Sequence, residues 1–175
     1  MNSFKVEILK HPTNEDWKWV KTCTLNTIGK TSVSDASDEW KRKLLKSEHS
    51  PIRELKFGIR MTIPYYVSVH FVRHKTGVEH YVTTQRTDRT NENRNSKTQD
   101  ALVTHIMSVN AQELIFMAHR RLCNQADPTT RAVMQEIVKQ VLIVNPEFKE
   151  FLVPMCEYLH TCNEFNPCGR IEIEK

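Results

Sequence analysis

The sequence predicts an α/β (α+β) domain in which a small mixed sheet packs with several helices. Residues 4–9 and 55–63 alternate apolar and polar side chains, as half-buried strands do. Other segments repeat apolar residues at three- and four-residue intervals, the spacing of an amphipathic helix. The chain has 175 residues, of which 39% are hydrophobic and only four are glycine, so we expect residues 1–175 to form a single domain with its own core.

Turn signals divide the first part of the chain. Asn14 is suited to cap a short helix across the first tryptophans, and residues 24–36, which are rich in Thr, Ser and Asn, are expected to form a loop. Asp35 or Ser37 would then cap a second helix, and Pro51 would end it. This arrangement places two short helices between the two strands.

The middle of the chain is predicted to continue with two helices and a loop. Pro64 suits the first position of a helix that delivers Arg73 and His74 at its C-terminal end. From there a loop is expected to run to about Lys97. The apolar residues of 98–123 recur at helical spacing and predict one long helix.

Two further helices are predicted toward the C-terminus. Pro128 starts a helix whose apolar residues follow helical spacing, and Asn145-Pro146 interrupts it. The apolar residues of 148–155 indicate a last helix. The tail over 162–175 contains proline and glycine and is expected to be irregular.

The composition favours a partner that carries phosphate. The formal net charge is +4 and the isoelectric point is near 8.8, which suits nucleotides, phosphorylated cofactors or nucleic acid. The N-terminus has no apolar signal core, and no apolar run approaches the roughly 18–20 residues that span a bilayer. We therefore expect a soluble cytoplasmic protein with no membrane association.

The five cysteines are expected to be reduced. An odd count without a signal peptide argues against a disulfide framework. Cys156, Cys162 and Cys168 are evenly spaced around His160, but they lack the close Cys-x-x-Cys pairs of most zinc sites. We therefore predict no metal site.

Residues 73–86, which read RHKTGVEHYVTTQR, concentrate cationic and polar groups: two imidazoles, two guanidinium groups, an ammonium group, three threonine hydroxyls and one tyrosine hydroxyl. They follow the apolar and aromatic run 64–72, which would hold them rigidly. Such a density of cationic donors is typical of a phosphate site. The segment is equally compatible with a solvated basic loop, since clusters of charge usually face water.

Four short motifs in order carry a family resemblance. Arg73-His74-Lys75, seven residues and then Thr83 resemble the Arg-His-Arg-x7-Ser signature of flavin-dependent thymidylate synthases. The segments 49–52, 108–112 and 121–126 resemble that family's His-x-x-Pro, Thr-x-Asn-Ala-Arg and Arg-Cys-Cys-x-x-Ala motifs. The match covers roughly residues 49–131.

The chain also departs from the family pattern at defined positions. Lys75 and Gln112 stand where the family has arginine, and a lysine keeps the charge but loses the bidentate guanidinium fork. In an ungapped register the signature serine is Thr83. A shift by one residue gives Thr84 instead and brings Arg86 to the position of a family arginine, and we prefer that register because it preserves the guanidinium.

The resemblance implies an α/β domain that assembles as a homotetramer, with flavin adenine dinucleotide (FAD) and deoxyuridine monophosphate (dUMP) bound at subunit interfaces. It implies reductive methylation of dUMP to dTMP, with methylenetetrahydrofolate as one-carbon donor and NADPH as the source of electrons. It also implies three groups of site residues. Catalysis would involve Arg121, Arg86 and Thr83, cofactor binding would involve Arg73, His74, Lys75, Asn110 and Gln125, and substrate binding would involve Thr84, Arg86, Arg94 and Arg121.

Two alternatives stay open. A divergent member of the family would modify another pyrimidine nucleotide or would be inactive. A nucleic-acid-binding module would use the basic run 86–97, with Tyr81 available to stack on a base. Asp88 and Glu92 interrupt that run and no recognition motif is present, so the module is the less favoured reading.

Overall fold

The computed structural model describes residues 4–31 and 34–171, and its centre is a four-stranded sheet. The strands follow the spatial order first, second, fourth, third, and each pair of neighbours is antiparallel. The predicted fold class, a small sheet packed with several helices, is confirmed, although the strand pairs are all antiparallel rather than mixed. The strands are β1 (Lys5–Lys10), β2 (Lys56–Pro64), β3 (Val78–Val82) and β4 (Leu102–Asn110).

The described residues also form seven α-helices and three 3₁₀ turns. Within these ranges, none of the helices combines the length and the apolar character that crossing a bilayer requires. The helices are α1 (Asn14–Asn26), α2 (Asp38–Lys46), α3 (Tyr65–Phe71), α4 (Thr87–Thr90), α5 (Ala111–Arg121), α6 (Pro128–Val144) and α7 (Met155–Leu159). The 3₁₀ turns cover Ser50–Glu54, Arg94–Ser96 and Pro146–Phe148.

One face of the sheet forms the core. Alternate residues from Phe57 to Ile63 on β2 and from Val103 to Val109 on β4 are buried, and they lie opposite one another across the two strands. Helices α5 and α6 contact β4 and β1, respectively. His105 is the polar exception on this face of β4, since its neighbours two residues away are apolar.

Several sequence-based expectations about the elements are confirmed. The strands over 4–9 and 55–63, the Ser37 cap of α2 and the helix that begins at Pro128 are present, within one residue at each boundary. Pro64 ends β2 and precedes α3, so it caps that helix instead of occupying its first position.

The first helix begins one residue earlier than expected. Thr13, not Asn14, is its cap: the Thr13 hydroxyl accepts a hydrogen bond from the backbone N–H of Asp16 at 3.4 Å, and the Asp16 carboxylate accepts from the Thr13 backbone N–H at 2.8 Å. This reciprocal pair forms a capping box. Helix α1 extends into the expected loop 24–36, of which 32–33 lie outside the described residues.

The predicted long helix over 98–123 is wrong. Its first half is the strand β4, and Asn110 then caps the shorter helix α5. Ile106 and Val109 fall at a helical interval in the sequence, yet they point to opposite faces of the sheet. Pairing of β4 with strands on both sides overrides the helical spacing, as tertiary context commonly does.

The loop expected up to Lys97 contains the strand β3, which pairs with β4 along its whole length. Its outward residues Glu79 and Tyr81 are exposed. The predicted helix over 148–155 is also wrong, because an irregular turn follows the last 3₁₀ turn and α7 begins only after Pro154. The tail is irregular as far as residue 171, and 172–175 lie outside the described residues.

Candidate functional site

The turn that joins α3 to β3 lies against the beginning of α5. The Asn110 backbone N–H donates to the carbonyl of Gly77 at 2.9 Å, and the Asn110 side-chain oxygen accepts from the backbone N–H of Glu113, also at 2.9 Å. Gly77 has a φ of +76°, and a Cβ at this position would lie 2.3 Å from Asn110 Nδ2. The absence of a side chain at Gly77 therefore permits the close approach of turn and helix.

The imidazole of His74 is buried in this turn and holds a defined tautomer. Arg121 Nε–H donates to His74 Nε2 at 3.1 Å, and His74 Nδ1 lies 2.8 Å from Glu113 Oε1. Because Nε2 accepts a hydrogen bond, the ring is neutral and its proton lies on Nδ1, which donates to the carboxylate. Arg121 Nη2 also donates to the backbone carbonyl of His70 at 2.8 Å. The guanidinium, the imidazole and the carboxylate thus form one chain of hydrogen bonds.

A cavity of about 580 Å³ opens beside this chain of hydrogen bonds, and four cationic side chains of the described residues line it. Burial lowers the pKa of Arg121, and the positive charges of Arg73 and Arg120 lower it further. An arginine stays protonated even so. The cations therefore repel one another in a partly buried place, and an anionic ligand would relieve that repulsion. The four cations are Arg73, Lys75, Arg120 and Arg121.

A second cavity, also of about 580 Å³, adjoins the first. Thr76, Glu113 and Phe116 line both, so they mark the junction. The second cavity is more apolar, with side chains from α5 and α7. Its polar end contains a hydrogen bond from Arg53 Nε to Gln112 Oε1 of 2.5 Å.

Two further histidines connect the turn to the sheet. His80 Nε2–H donates to the backbone carbonyl of His74 at 2.9 Å, so His80 Nδ1 accepts from His105 Nε2–H, also at 2.9 Å. Burial, and to a lesser extent the neighbouring His80, lowers the pKa of His105 to about 4. Among the described residues, His105 Nδ1 has no hydrogen-bond partner. Sequence reasoning missed this pair, because residue spacing does not reveal cross-strand neighbours.

The structure brings together part of the predicted site. The side chains of Arg73, His74, Lys75, Arg121 and Gln125 line the first cavity, while Asn110 lines the second. The Gln125 amide donates to the backbone carbonyl of residue 166 at 2.9 Å, which fastens the tail near the cavity. The predicted cofactor-binding residues are therefore close to one another.

The remaining predicted residues lie elsewhere in the same chain. Thr83, Thr84, Arg86 and Arg94 follow the far end of β3, which lies about 17 Å along the strand from Gly77. They do not line either cavity formed by the described residues. Within one chain they do not lie beside Arg121, and the prediction that they share a site with it at a subunit interface stays a prediction.

These distant residues have local partners. The Thr83 hydroxyl donates to the Thr104 carbonyl at 3.2 Å, and the Thr84 hydroxyl accepts from the Arg86 backbone N–H at 3.2 Å. Arg86 forms two hydrogen bonds with the Asp88 carboxylate, at 3.0 and 2.8 Å. These side chains are exposed, so a phosphate would have to compete with Asp88 for the Arg86 guanidinium.

Sequence reasoning missed five charged, hydroxyl-bearing or aromatic side chains that line the first cavity. Glu113 carried a usable signal, since an asparagine followed three residues later by glutamate is typical of a helix start. The mistaken helix over 98–123 concealed it. The missed residues are Thr76, Glu113, Phe116, Arg120 and Glu164.

All five cysteines are free thiols in the structure, and four of them line a narrow cavity of about 10 Å³ at the end of α5. Burial raises the pKa of Cys156, so its thiol form is favoured. In the ranges that the structure describes, no three His, Cys, Asp or Glu side chains are arranged to hold a metal ion. The four cysteines are Cys123, Cys156, Cys162 and Cys168.

Comparison with known proteins shows the fold. The sequence matches no model of a known protein family and no curated protein. Among solved structures, the chain is similar to a UMP/dUMP methylase, PolB from Streptomyces cacaoi, bound with 5-Br dUMP. The TM-score is 0.59 and the sequence identity is 14%, and the alignment covers 86% of this chain and 97% of the methylase chain. The two proteins thus share an architecture over nearly their full lengths.

Proposed function

We propose that the protein is a pyrimidine nucleotide methylase, and more exactly a flavin-dependent thymidylate synthase that converts dUMP to dTMP with methylenetetrahydrofolate, FAD and NADPH. The observation that carries the proposal is the cation-lined cavity beside the Arg121–His74–Glu113 chain. Its lining includes Arg73, His74, Lys75 and Arg121, which carry part of the family resemblance. The methylase named above adds support, because a protein of similar fold binds a uracil nucleotide analogue.

The residues present fit FAD. Its pyrophosphate would lie in the first cavity against Arg73 and Lys75, where it would offset the positive charge that Arg73 and Arg121 hold close together. Phe116 at the junction offers an exposed aromatic surface to a planar ring. Bound flavin would supply the redox chemistry of the methylation.

The role proposed for the chain's own residues is positional and electrostatic. Arg121 is fixed by His70 and His74, so its charge occupies a defined place before any ligand arrives. A preorganised cation lowers the energy of negative charge that develops on a uracil ring or its phosphate. No protein nucleophile is needed, so a threonine at the signature serine position is compatible with activity.

A homotetramer would account for the predicted residues that lie apart. Thr83, Thr84, Arg86 and Arg94 are exposed at the far end of β3, and a neighbouring subunit could present them to the first cavity. In that arrangement the Arg86 guanidinium would exchange Asp88 for the substrate phosphate, which accepts the same two-pronged hydrogen bond.

Another pyrimidine nucleotide is the second candidate substrate. The methylase of similar fold is named for both UMP and dUMP, so the ribonucleotide is a specific alternative. The nucleic-acid-binding reading is less favoured, because acidic partners neutralise part of the basic run. Asp88 lies within ion-pair distance of Arg86 and Arg89, and Lys97 pairs with Glu92.

The first test is the visible absorption spectrum of the purified protein after incubation with FAD and desalting, followed by titration with dUMP and with UMP. Retained flavin bands that shift with nucleotide support the proposal. Product analysis with methylenetetrahydrofolate and NADPH then shows whether dUMP, UMP or both are methylated. Protein that retains no flavin and binds neither nucleotide would rule the proposal out.

The Arg121→Ala variant locates the site within the protein. We expect it to fold and to lose most nucleotide or flavin binding, since it removes the fixed cation. Arg60→Ala is the matched control, because Arg60 is an exposed arginine on β2 that pairs only with Glu7 among its described partners. Equal binding by the two variants would remove Arg121 from the site.

A further inference from the structure

The junction of the two cavities contains a carboxylate where phosphate-binding groups would be expected. Glu113 lines both cavities, and its side chain is 12% exposed. Among the described residues, Glu113 and Glu164 are the two carboxylates that line the first cavity, and Glu164 is paired with Arg120 at 2.9 Å. Glu113 is instead held by the neutral ring of His74, and no cation of the described part of the chain neutralises it directly.

The hydrogen bonds of Glu113 among the described residues leave its second carboxylate oxygen available to a ligand. Oε1 accepts from His74 Nδ1–H, and within the described residues the carboxylate makes no other hydrogen bond. The backbone N–H of Glu113 is already bound to Asn110. A carboxylate oxygen at a cavity wall repels phosphate and accepts from an N–H group.

The surroundings of Glu113 suit a planar ring. Phe116 is 43% exposed at the same junction, and its ring meets the His74 imidazole edge-on, with centroids 5.9 Å apart. Thr76 adds a hydroxyl, which both donates and accepts. An aromatic surface beside a fixed acceptor is a common arrangement for holding a heterocycle that carries an N–H.

We propose that Glu113 accepts a hydrogen bond from the imide N–H of a cyclic ligand and thereby selects rings that present a donor at this position. The inference rests on the proposed function, which supplies two such rings, the uracil of the nucleotide and the isoalloxazine of the flavin. In uracil the ring N3 carries a hydrogen and donates, whereas in cytosine N3 has a lone pair and accepts. Glu113 therefore favours uracil over cytosine nucleotides when the ring is the substrate's.

The test substitutes Glu113→Gln, which reverses the character of the group that faces the cavity. The glutamine oxygen can still accept from His74, so its NH₂ group is left at the junction as a donor. We expect dUMP affinity to fall about 10- to 100-fold, the usual loss for a hydrogen bond to a charged group. Affinity for dCMP should rise relative to the wild type, because the new donor matches the cytosine N3.

Glu164→Gln is the matched control, since it makes the same change to the other carboxylate of the same cavity. It should leave the ratio of dUMP to dCMP affinity unchanged. Thermal unfolding followed by circular dichroism checks that both variants fold. The titrations use protein loaded with FAD.

The outcomes separate the two sources of the imide. A changed dUMP-to-dCMP ratio in E113Q alone assigns the ring to the nucleotide. Two results together assign the ring to the flavin. E113Q binds FAD more weakly with unchanged nucleotide affinity, and the wild-type protein binds only weakly a flavin that carries a methyl group on its imide nitrogen. If E113Q changes neither affinity, or if E164Q changes the ratio equally, the inference is overturned while the proposed function stands. A wild-type protein that binds neither ligand overturns both.

Discussion

Replacing Gly77 with alanine tests whether the close contact between the turn and α5 builds the site. Gly77 has a φ of +76°, and the added Cβ would lie 2.3 Å from Asn110 Nδ2. Asn110 must then move, and its side-chain hydrogen bond to the Glu113 backbone N–H, now 2.9 Å, is lost. The substitution thus disturbs the cap of α5 and the carboxylate at the junction together.

The expected change in the free energy of unfolding comes from two costs and one partial gain. A non-glycine residue in the left-handed region costs about 1–2 kcal/mol, and losing an asparagine cap costs about 1 kcal/mol. Restricting the unfolded chain returns about 0.4–1 kcal/mol. We therefore expect G77A to lower the free energy of unfolding by about 2 kcal/mol. The loss would be larger if the displaced Asn110 side chain met other atoms.

Gly29→Ala is the matched control. Gly29 has a φ of +66°, and a Cβ there meets nothing within 4 Å among the described residues, so only the conformational cost applies. Urea unfolding of both variants measures the difference, which we expect to be at least about 1 kcal/mol. When G77A is made in an Asn110→Ala background, most of this difference in the free energy of unfolding should disappear. Equal destabilisation by G77A and G29A would refute the argument that the contact with Asn110 matters. The same conclusion would follow if G77A were equally destabilising in the Asn110→Ala background.

Two further predictions follow from the pKa of His105 and from the position of Arg86. The pKa of His105 is about 4 in the folded chain against an ordinary 6.5, so the unfolded chain binds a proton at this residue before the folded chain does. The free energy of unfolding should therefore be unaffected by His105 above pH 6.5 and should fall by up to about 3 kcal/mol as the pH drops toward 4. His105→Leu should remove that part of the pH dependence in urea unfolding, and an unchanged slope between pH 7 and pH 4.5 would contradict the assignment. Arg86→Ala should leave the free energy of unfolding within about 0.5 kcal/mol, because its ion pair is exposed, yet weaken dUMP binding about tenfold in the assembled protein. Undiminished dUMP affinity in that variant, measured by titration, would exclude Arg86 from the phosphate site.

The parts of the fold that the sequence predicts correctly are those where one periodicity dominates. The residues of β2 alternate strictly, and α6 has a proline at its start and a helical stripe of apolar residues. The residues of β4 satisfy both periodicities, and only its position between two partner strands decides between them. β3 contains Glu79 and His80 between its valines, so it has no apolar alternation to detect.

The site shows the same division between local and tertiary information. The cationic run from Arg73 to Lys75 is visible in the sequence, and it does line the first cavity. The separation of that run from Arg86 depends on the strand between them, which the sequence did not reveal. Contacts such as Glu113 with His74 join residues 39 positions apart, beyond the reach of any local pattern.

The buried polar groups explain how the fold holds this site rigidly. A buried histidine costs stability unless its nitrogens have partners, and His74 has both of them bonded. His80 joins that turn to His105 inside the sheet, so movement of His74 would also break hydrogen bonds at the core. The fixed acceptor and the fixed cation at opposite ends of the His74 ring are thus anchored to the most buried part of the fold. Preorganisation of this kind is what a site needs if it must stabilise charge on a ligand ring without a covalent bond to the protein.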